Sequence, residues 1–257
     1  MPIKLSNYQL IIFDGFGTLY DKDLLPLPGA IDLLNKIGNQ SILFSNVGSI
    51  TGDELRERLA KNFNRLPSRI ITSLDILLRY LKKNDINEIY HYGGLKTAEL
   101  LTKSNISVVP FEKESDIIVF TSLPSENWIK DSQSVLKLIN DNKVKQVILA
   151  NPDRLLPGEH VGINIGMMFD VLINNWPINK RNTFNVLELG KPMLTKSDMD
   201  IKDGEKILII GDNNITDGGL AKNLNCDFSL ISKDNIDEKD QRINVFKSLA
   251  DLMNNEK

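Results

Sequence analysis

Cysteine is almost missing from this chain. Cys226 stands alone among 257 residues, so no internal disulfide can form, and a reducing, cytoplasmic setting is the expectation. There is no C-x-x-C pair, and the two histidines, His91 and His160, lie far apart and outside any H-E-x-x-H pattern. A zinc centre is therefore not expected, and both histidines read as structural or solvent-facing. No G-x-S-x-G turn offers a serine nucleophile. Long apolar runs are lacking too: stretches such as Ile207 to Ile210 are far too short to span a bilayer. The opening MPIKLSNYQL has no apolar core of the signal-peptide kind. Dense Lys/Arg runs are absent and the formal net charge is -3, which argues against a nucleic-acid partner as the hydropathy argues against a membrane.

What remains is ordinary globular material. The apolar fraction of 41% can fill a sizeable core, and the length suits one large domain or two modest ones. Gln9 to Phe13 is a mostly apolar run ending at Asp14, as expected for a strand buried on both faces of a parallel sheet. Pro28-Gly29 precedes a stretch of helical spacing from Ala30 to Ile37, closed by Gly38. A second apolar run, Ser41 to Phe44, ends at Ser45-Asn46, and amphipathic stretches follow at Asp53 to Asn62 and Ser73 to Leu81. Near the other end, Lys206 to Ile210 leads to Gly211-Asp212, with a helix from about Gly218 to Leu224 and a strand from Asp227 to Ile231. Alternation of this kind predicts a parallel α/β sheet.

The middle of the chain has its own strands, at Asp116 to Phe120 and Gln146 to Ala150, with a helix near Trp128 to Asn142. It is long enough to be a separate domain inserted into the first. The Met167-Met168-Phe169 cluster reads as core. In open parallel sheets ligands collect at the carboxyl ends of the strands, and Asp14, Ser45 and Asp212 each fall at such an end. Singly, each has a plainer reading. An Asp after a strand is often a helix cap or turn residue. Lys191 before Pro192 suits the solvated start of a helix, and Ser45-Asn46 suits a turn.

In order, these residues resemble the motifs of the haloacid dehalogenase superfamily. Phe13-Asp14-Gly15-Phe16-Gly17-Thr18-Leu19 is similar to the first motif, usually D-x-D-G-T in phosphatases. Ser45-Asn46 resembles the second, Lys191 in Gly190-Lys191-Pro192 the third, and Gly211-Asp212 through Asp217 the fourth. Pro28-Gly29-Ala30, Asn151-Pro152-Asp153 and the long insert between the second and third motifs look like the class IIA branch. That branch includes p-nitrophenyl phosphatase-like enzymes, nucleotide and sugar phosphatases, and pyridoxal phosphate phosphatases. The resemblance spans nearly the whole chain. It implies a Rossmann-like α/β core over residues 1–78 and 187–257, with an inserted α/β cap over 79–186.

The resemblance also implies roles. Asp14 is the nucleophile that attacks phosphorus, splitting one hard step into two. Mg²⁺ takes oxygen ligands, here from Asp14, Asp212, the backbone carbonyl of Phe16 and, through water, Asp217. Lys191 offsets charge on the phosphate and on Asp14, while Ser45, Asn46 and the Gly15 backbone bind phosphate oxygens. Asn151 and Asp153 are candidate substrate contacts at the cap. The substrate expected is a small phosphorylated metabolite. Caps of this type can dimerise, so a homodimer is admitted, though no motif specifies one.

One residue departs from the pattern. Phosphatases of this superfamily carry a second aspartate where this chain has Phe16; it protonates the leaving oxygen and then activates water. Phenylalanine does neither, and general acid–base help is typically worth about 10² to 10⁴ in rate. Three readings follow: a slow or specialised Mg²⁺-dependent phosphohydrolase, a metal-independent 2-haloacid dehalogenase whose halide leaves unprotonated, or a phosphate-binding pseudoenzyme. The acidic pair Asp212 and Asp217 and the class IIA insert weigh against the second.

Overall fold

In the computed structural model, residues 3–110, 113, 115–123, 128–141, 143–156, 162–174, 184–233 and 243–255 are described. Strands and helices alternate along them. In chain order they are β1 (Leu10–Phe13), α1 (Ala30–Ile37), β2 (Ser41–Ser45), α2 (Gly52–Leu59), β3 (Arg69–Thr72), α3 (Ser73–Lys83) and β4 (Glu88–Tyr92). Then come α4 (Leu95–Lys103), β5 (Ser107–Val108), β6 (Ile117–Phe120), α5 (Trp128–Asn140), β7 (Gln146–Leu149), β8 (Leu155–Leu156), β9 (Gly162–Ile163) and α6 (Ile165–Asn174). The last are β10 (Asn185–Glu188), β11 (Ile207–Gly211), α7 (Gly219–Leu224), β12 (Asp227–Ile231), β13 (Ile243–Phe246) and α8 (Leu249–Asn254). No helix among the described residues is long and apolar enough to cross a membrane.

The chain divides into two units. The first comprises Met1–Ser45, Thr51–Ile71 and Lys191–Lys257; the second comprises Asn46–Ile50 and Thr72–Gly190. The first unit is built on a six-stranded sheet in the order β13-β12-β11-β1-β2-β3. β1 lies between β11 and β2, parallel to both, and all four of its side chains are buried. This explains its unbroken apolar sequence: a strand with neighbours on both edges and cover on both faces has no position left for a polar side chain. β11 is buried along its whole length for the same reason. Helix α2 is set by polar signals instead. The Thr51 side chain accepts from the Glu54 N–H at its start, Asp53 and Glu54 occupy the first turn, and Arg56 and Arg58 the last.

The second unit carries a five-stranded parallel sheet, β10-β7-β6-β4-β5, and an antiparallel β8–β9 pair. Its core gathers Tyr92, Ile118, Phe120, Val147, Leu149 and Phe169. Phe120 packs edge-on to Phe169 with ring centroids 5.3 Å apart. Met168 packs against this cluster, so Met168 and Phe169 of the Met167-Met168-Phe169 segment belong with the core.

The domain limits expected from sequence need correction at both ends. A boundary after residue 78 cuts α3, and one after residue 186 cuts β10; both elements belong whole to the second unit. The cause at the first limit is a capping box. Thr72 accepts from the Asp75 N–H while Asp75 accepts from the Thr72 N–H at 2.8 Å, so α3 starts abruptly at Ser73. Residues 46–50 go with this unit as well: the Thr72 hydroxyl donates to the Ile50 carbonyl at 2.8 Å, and the Leu74 N–H to the Val47 carbonyl at 3.3 Å.

Candidate active site

The site of the first unit begins where its two central strands end. The Asp14 N–H donates to the Ile210 carbonyl at 2.9 Å, so β1–β11 pairing continues to the first residue of the loop. That loop folds back on itself. Leu19 and Tyr20 donate to the Gly15 carbonyl at 2.8 and 3.1 Å, and the Gly17 N–H donates to the Tyr20 carbonyl at 2.9 Å. Gly17 sits at φ +79, and a Cβ there would lie 2.0 Å from Asp212 Oδ2. Glycine therefore meets two demands at once, a left-handed backbone and the close approach of a carboxylate.

Lys191 is the centre of the electrostatics. Its side chain is 3% exposed, and it donates to Asp14 and, at 2.6 Å, to Asp217 Oδ1. The ammonium lies 5.9 Å from the centre of the Phe44 ring. Burial alone would lower its pKa, but the charges of Asp14 and then Asp217 outweigh that and hold it above the ordinary lysine range. Asp217 is also buried, and its Oδ2 accepts from the Asn213 N–H at 3.1 Å. Burial pushes its carboxyl up; Lys191 opposes the shift and Asp14 adds to it. Asp212 is displaced upward as well, by partial desolvation and then by Asp14 and Asp217. Its side chain is open to water, so screening moderates the effect.

Carboxylate oxygens of Asp14, Asp212 and Asp217 all lie within 4.8 Å of one another. Three carboxylates thus face one ammonium, which leaves two negative charges uncompensated when all are ionised. An all-oxygen donor set in that electrostatic condition fits a hard divalent cation such as Mg²⁺.

Tyr20 and Asn213 were not legible as site residues. Tyr20 is buried, with its hydroxyl against Gly15, where a Cβ would meet it at 2.3 Å. Burial and the Asp14 charge hold its phenol above the ordinary range, and Ser45, at the end of β2, is its hydrogen-bonding side chain. Asn213 shapes the turn that returns Asp217 to the site: its side chain accepts from the Ile215 and Thr216 N–H groups at 2.9 and 3.2 Å. The run Asp212-Asn213-Asn214 was the available signal, since such residues favour these turns. Phe16 is half-buried, and its backbone bridges to Tyr20.

Of the predicted residues, Asp14, Gly15, Phe16, Ser45, Lys191, Asp212 and Asp217 belong to the first unit. Asn46, Asn151 and Asp153 belong to the second. There the Asn46 amide donates to Asp153 Oδ1 at 2.7 Å, and the Asp153 N–H donates to Asn151 Oδ1 at 3.0 Å. Arg154 secures the turn by donating to the Pro152 carbonyl at 2.6 Å while pairing with Asp170 and Glu188. The expectation that Asn46 acts with Ser45 on phosphate therefore meets a competing fact: its amide is already engaged with Asp153. His91, half-buried, shares a 2.8 Å hydrogen bond with Thr121 Oγ1; His160 lies outside the described residues.

Three carboxylates and a buried lysine thus gather where the central strands of a parallel sheet end. Residues 11–107 match the model of the haloacid dehalogenase-like hydrolase family. Over nearly its whole length the chain is similar in fold to 4-nitrophenylphosphatase from Thermotoga maritima, with 20% identity and a TM-score of 0.79, covering 98% of this chain and 99% of that one. It is also similar to NagD from E. coli K-12, with 22% identity and a TM-score of 0.74 over 95% and 97% of the two chains. A glycerol phosphate phosphatase from Mycobacterium tuberculosis, in complex with magnesium, shares 19% identity and a TM-score of 0.77 over 98% of this chain and 79% of that one. No curated protein matches the sequence. The family match covers residues 11–107, and the likeness to these solved structures shows the fold of nearly the whole chain.

Proposed function

We propose that the protein is a Mg²⁺-dependent phosphohydrolase acting on a small phosphomonoester, with Asp14 as the nucleophile. The observation that carries this reading is Lys191 buried between Asp14 and Asp217, with Asp212 completing a cluster of three carboxylates. Asp14, Asp212, the Phe16 carbonyl and, through water, Asp217 are the residues that would hold the ion. When bound, Mg²⁺ supplies positive charge to the phosphoryl oxygens.

The chain's own groups do the remainder. Asp14 forms the bond to phosphorus. Lys191 restrains the Asp14 carboxylate and offsets charge on the transferring group. Ser45 and the Gly15 N–H donate to phosphoryl oxygens. Tyr20, which keeps its proton, supports Ser45.

The test is phosphate release from a panel of phosphomonoesters with Mg²⁺, comparing the native chain with Asp14→Asn. Native activity that disappears in the variant is the expected result; equal activity in both overturns the assignment. Phe16 favours a second reading, a phosphate-binding protein with little turnover. Phosphate-dependent thermal stabilisation without hydrolysis, and hydrolysis appearing in Phe16→Asp, would select it.

A further inference from the structure

Between Asp212 and Asp217 the chain leaves the end of β11 and comes straight back to it. The returning residue is tightly placed. Asp217 Oδ2 lies 2.1 Å from where a Cβ on Gly211 would stand, and the Asp217 side chain is 1% exposed. The residues between have no core to hold them: Asn213 and Asn214 are exposed, and Ile215 is 81% exposed. They lead into a π-helical turn, Asn214–Gly218, a coil used mostly in single turns and often at functional sites.

Asn213 serves that turn with its N–H, its carbonyl and its side-chain oxygen. The side-chain oxygen accepts from the Ile215 and Thr216 N–H groups at 2.9 and 3.2 Å. The carbonyl accepts from the Asp217 and Gly218 N–H groups at 2.9 and 3.3 Å. The N–H donates to Asp217 Oδ2 at 3.1 Å. The side-chain bonds satisfy donors that begin a helical turn and have no partner within it. The backbone bonds carry that order on to the carboxylate. Asp217 Oδ1 meanwhile accepts from Lys191 at 2.6 Å, so each oxygen of this carboxylate is held by a different partner.

We propose that Asn213 is a positioning residue for the metal site: its side chain fixes the turn that holds Asp217 near Asp14 and Asp212, and thereby sets the affinity for a divalent cation. The proposal rests on the reading that this cluster takes Mg²⁺, and deepens it. Carboxylate oxygens of the three residues lie within 4.8 Å of one another, and like charges that close repel. Asp217 therefore stays in the cluster against an outward force. Lys191 opposes that force, and so does the turn that Asn213 caps. Without the Asn213 side-chain oxygen the exposed turn gains other conformations, and fixing one of them becomes a cost of binding the ion. Residues that orient metal-binding groups from behind typically contribute about 10- to 100-fold in metal affinity.

The experiment is calorimetric titration of the full chain with Mg²⁺ alone, beside urea unfolding of each variant. Asn213→Ala should weaken Mg²⁺ binding about 10- to 100-fold. Asn213→Ser, which keeps a capping acceptor, should restore most of it. Asn213→Gly removes the same acceptor at little cost in stability, so it decides the matter if Asn213→Ala fails to fold. Thr51→Ala is the comparison for general destabilisation. It removes the cap of α2, where the Thr51 hydroxyl accepts from the Glu54 N–H at 3.3 Å, and should lower the unfolding midpoint while leaving Mg²⁺ affinity unchanged. Native binding that is lost in Asp212→Asn but kept in full by Asn213→Ala and Asn213→Gly would overturn the positioning role and leave the metal reading intact. A fall in affinity that Thr51→Ala shares would overturn it too, since lost stability alone would then explain it. No Mg²⁺ binding by the native chain would overturn both.

Discussion

The two units are made alike and finished differently. Each carries a parallel sheet whose central strands are apolar and mostly buried, and each presents polar residues where those strands end. In the second unit those residues are neutral or locally satisfied: His91 is held by Thr121, the Gly94 N–H by Ser122 at 3.1 Å, and Asp153 by Asn151 and Asn46. In the first unit the strand ends gather three carboxylates around a single ammonium. Architecture alone does not distinguish them; unbalanced charge does. A polar group that satisfies its neighbour contributes to structure, whereas a cluster with excess charge of one sign is incomplete without a counter-charge from outside.

Removing the lysine should break this contrast most forcefully. Lys191→Met leaves Asp14 and Asp217 without their buried partner, and losing one side of a buried pair typically costs about 3–5 kcal/mol. Denaturant unfolding should register that loss at alkaline pH. Linkage then applies: the Asp212 and Asp217 carboxyls, pushed up in the folded chain, bind protons more readily there than in the unfolded chain. The deficit should therefore shrink as pH falls toward the ordinary carboxylate range. A deficit unchanged with pH would mean that these carboxylates do not carry it.

A comparable loss without that pH dependence is expected in the second unit from Phe120→Ala. The ring is fully buried, with Tyr92 and Phe169 at centroid distances of 4.9 and 5.3 Å, and such truncations cost about 3–5 kcal/mol through lost contacts and cavity formation. Unfolding midpoints at several pH values separate the two variants, one electrostatic and one not.

The smallest effect belongs to His91. Burial lowers its pKa from 6.5 to about 4. Between those values the unfolded chain takes up a proton that the folded chain refuses, so stability is fully present above pH 6.5 and declines as pH falls toward 4. His91→Gln should flatten that part of the stability profile. An unaltered profile would show that His91 is not the group responsible.

Much of the first sheet was legible because buried central strands write themselves as apolar runs: Leu10–Phe13, Ile207–Gly211 and the residues that end them stand out. The amphipathic stretch at Asp53 to Asn62 was visible too, and it falls on α2, whose Thr51 cap only the structure shows. What escaped depends on contacts between residues distant in sequence. The passage of residues 46–50 to the second unit rests on bonds from Thr72 and Leu74. β10 mixes Asn185 and Glu188 with Val186 and Leu187 and has no clear period. Tyr20 joins the site only because Gly15 leaves space for its hydroxyl, a complementarity that no spacing rule contains. The four motifs located the candidate chemistry, but the engagement of Asn46 by Asp153 emerged only in three dimensions.

The central claim is that Asp14 takes the phosphoryl group, and the most direct measurement is mass analysis of the acid-quenched chain after brief reaction with acetyl phosphate and Mg²⁺. The account predicts one added phosphoryl group on the peptide holding Asp14, absent when the ion is chelated and absent in Asp14→Asn. Phosphate released without any phosphoryl group on that peptide, or the same adduct in Asp14→Asn, would contradict it.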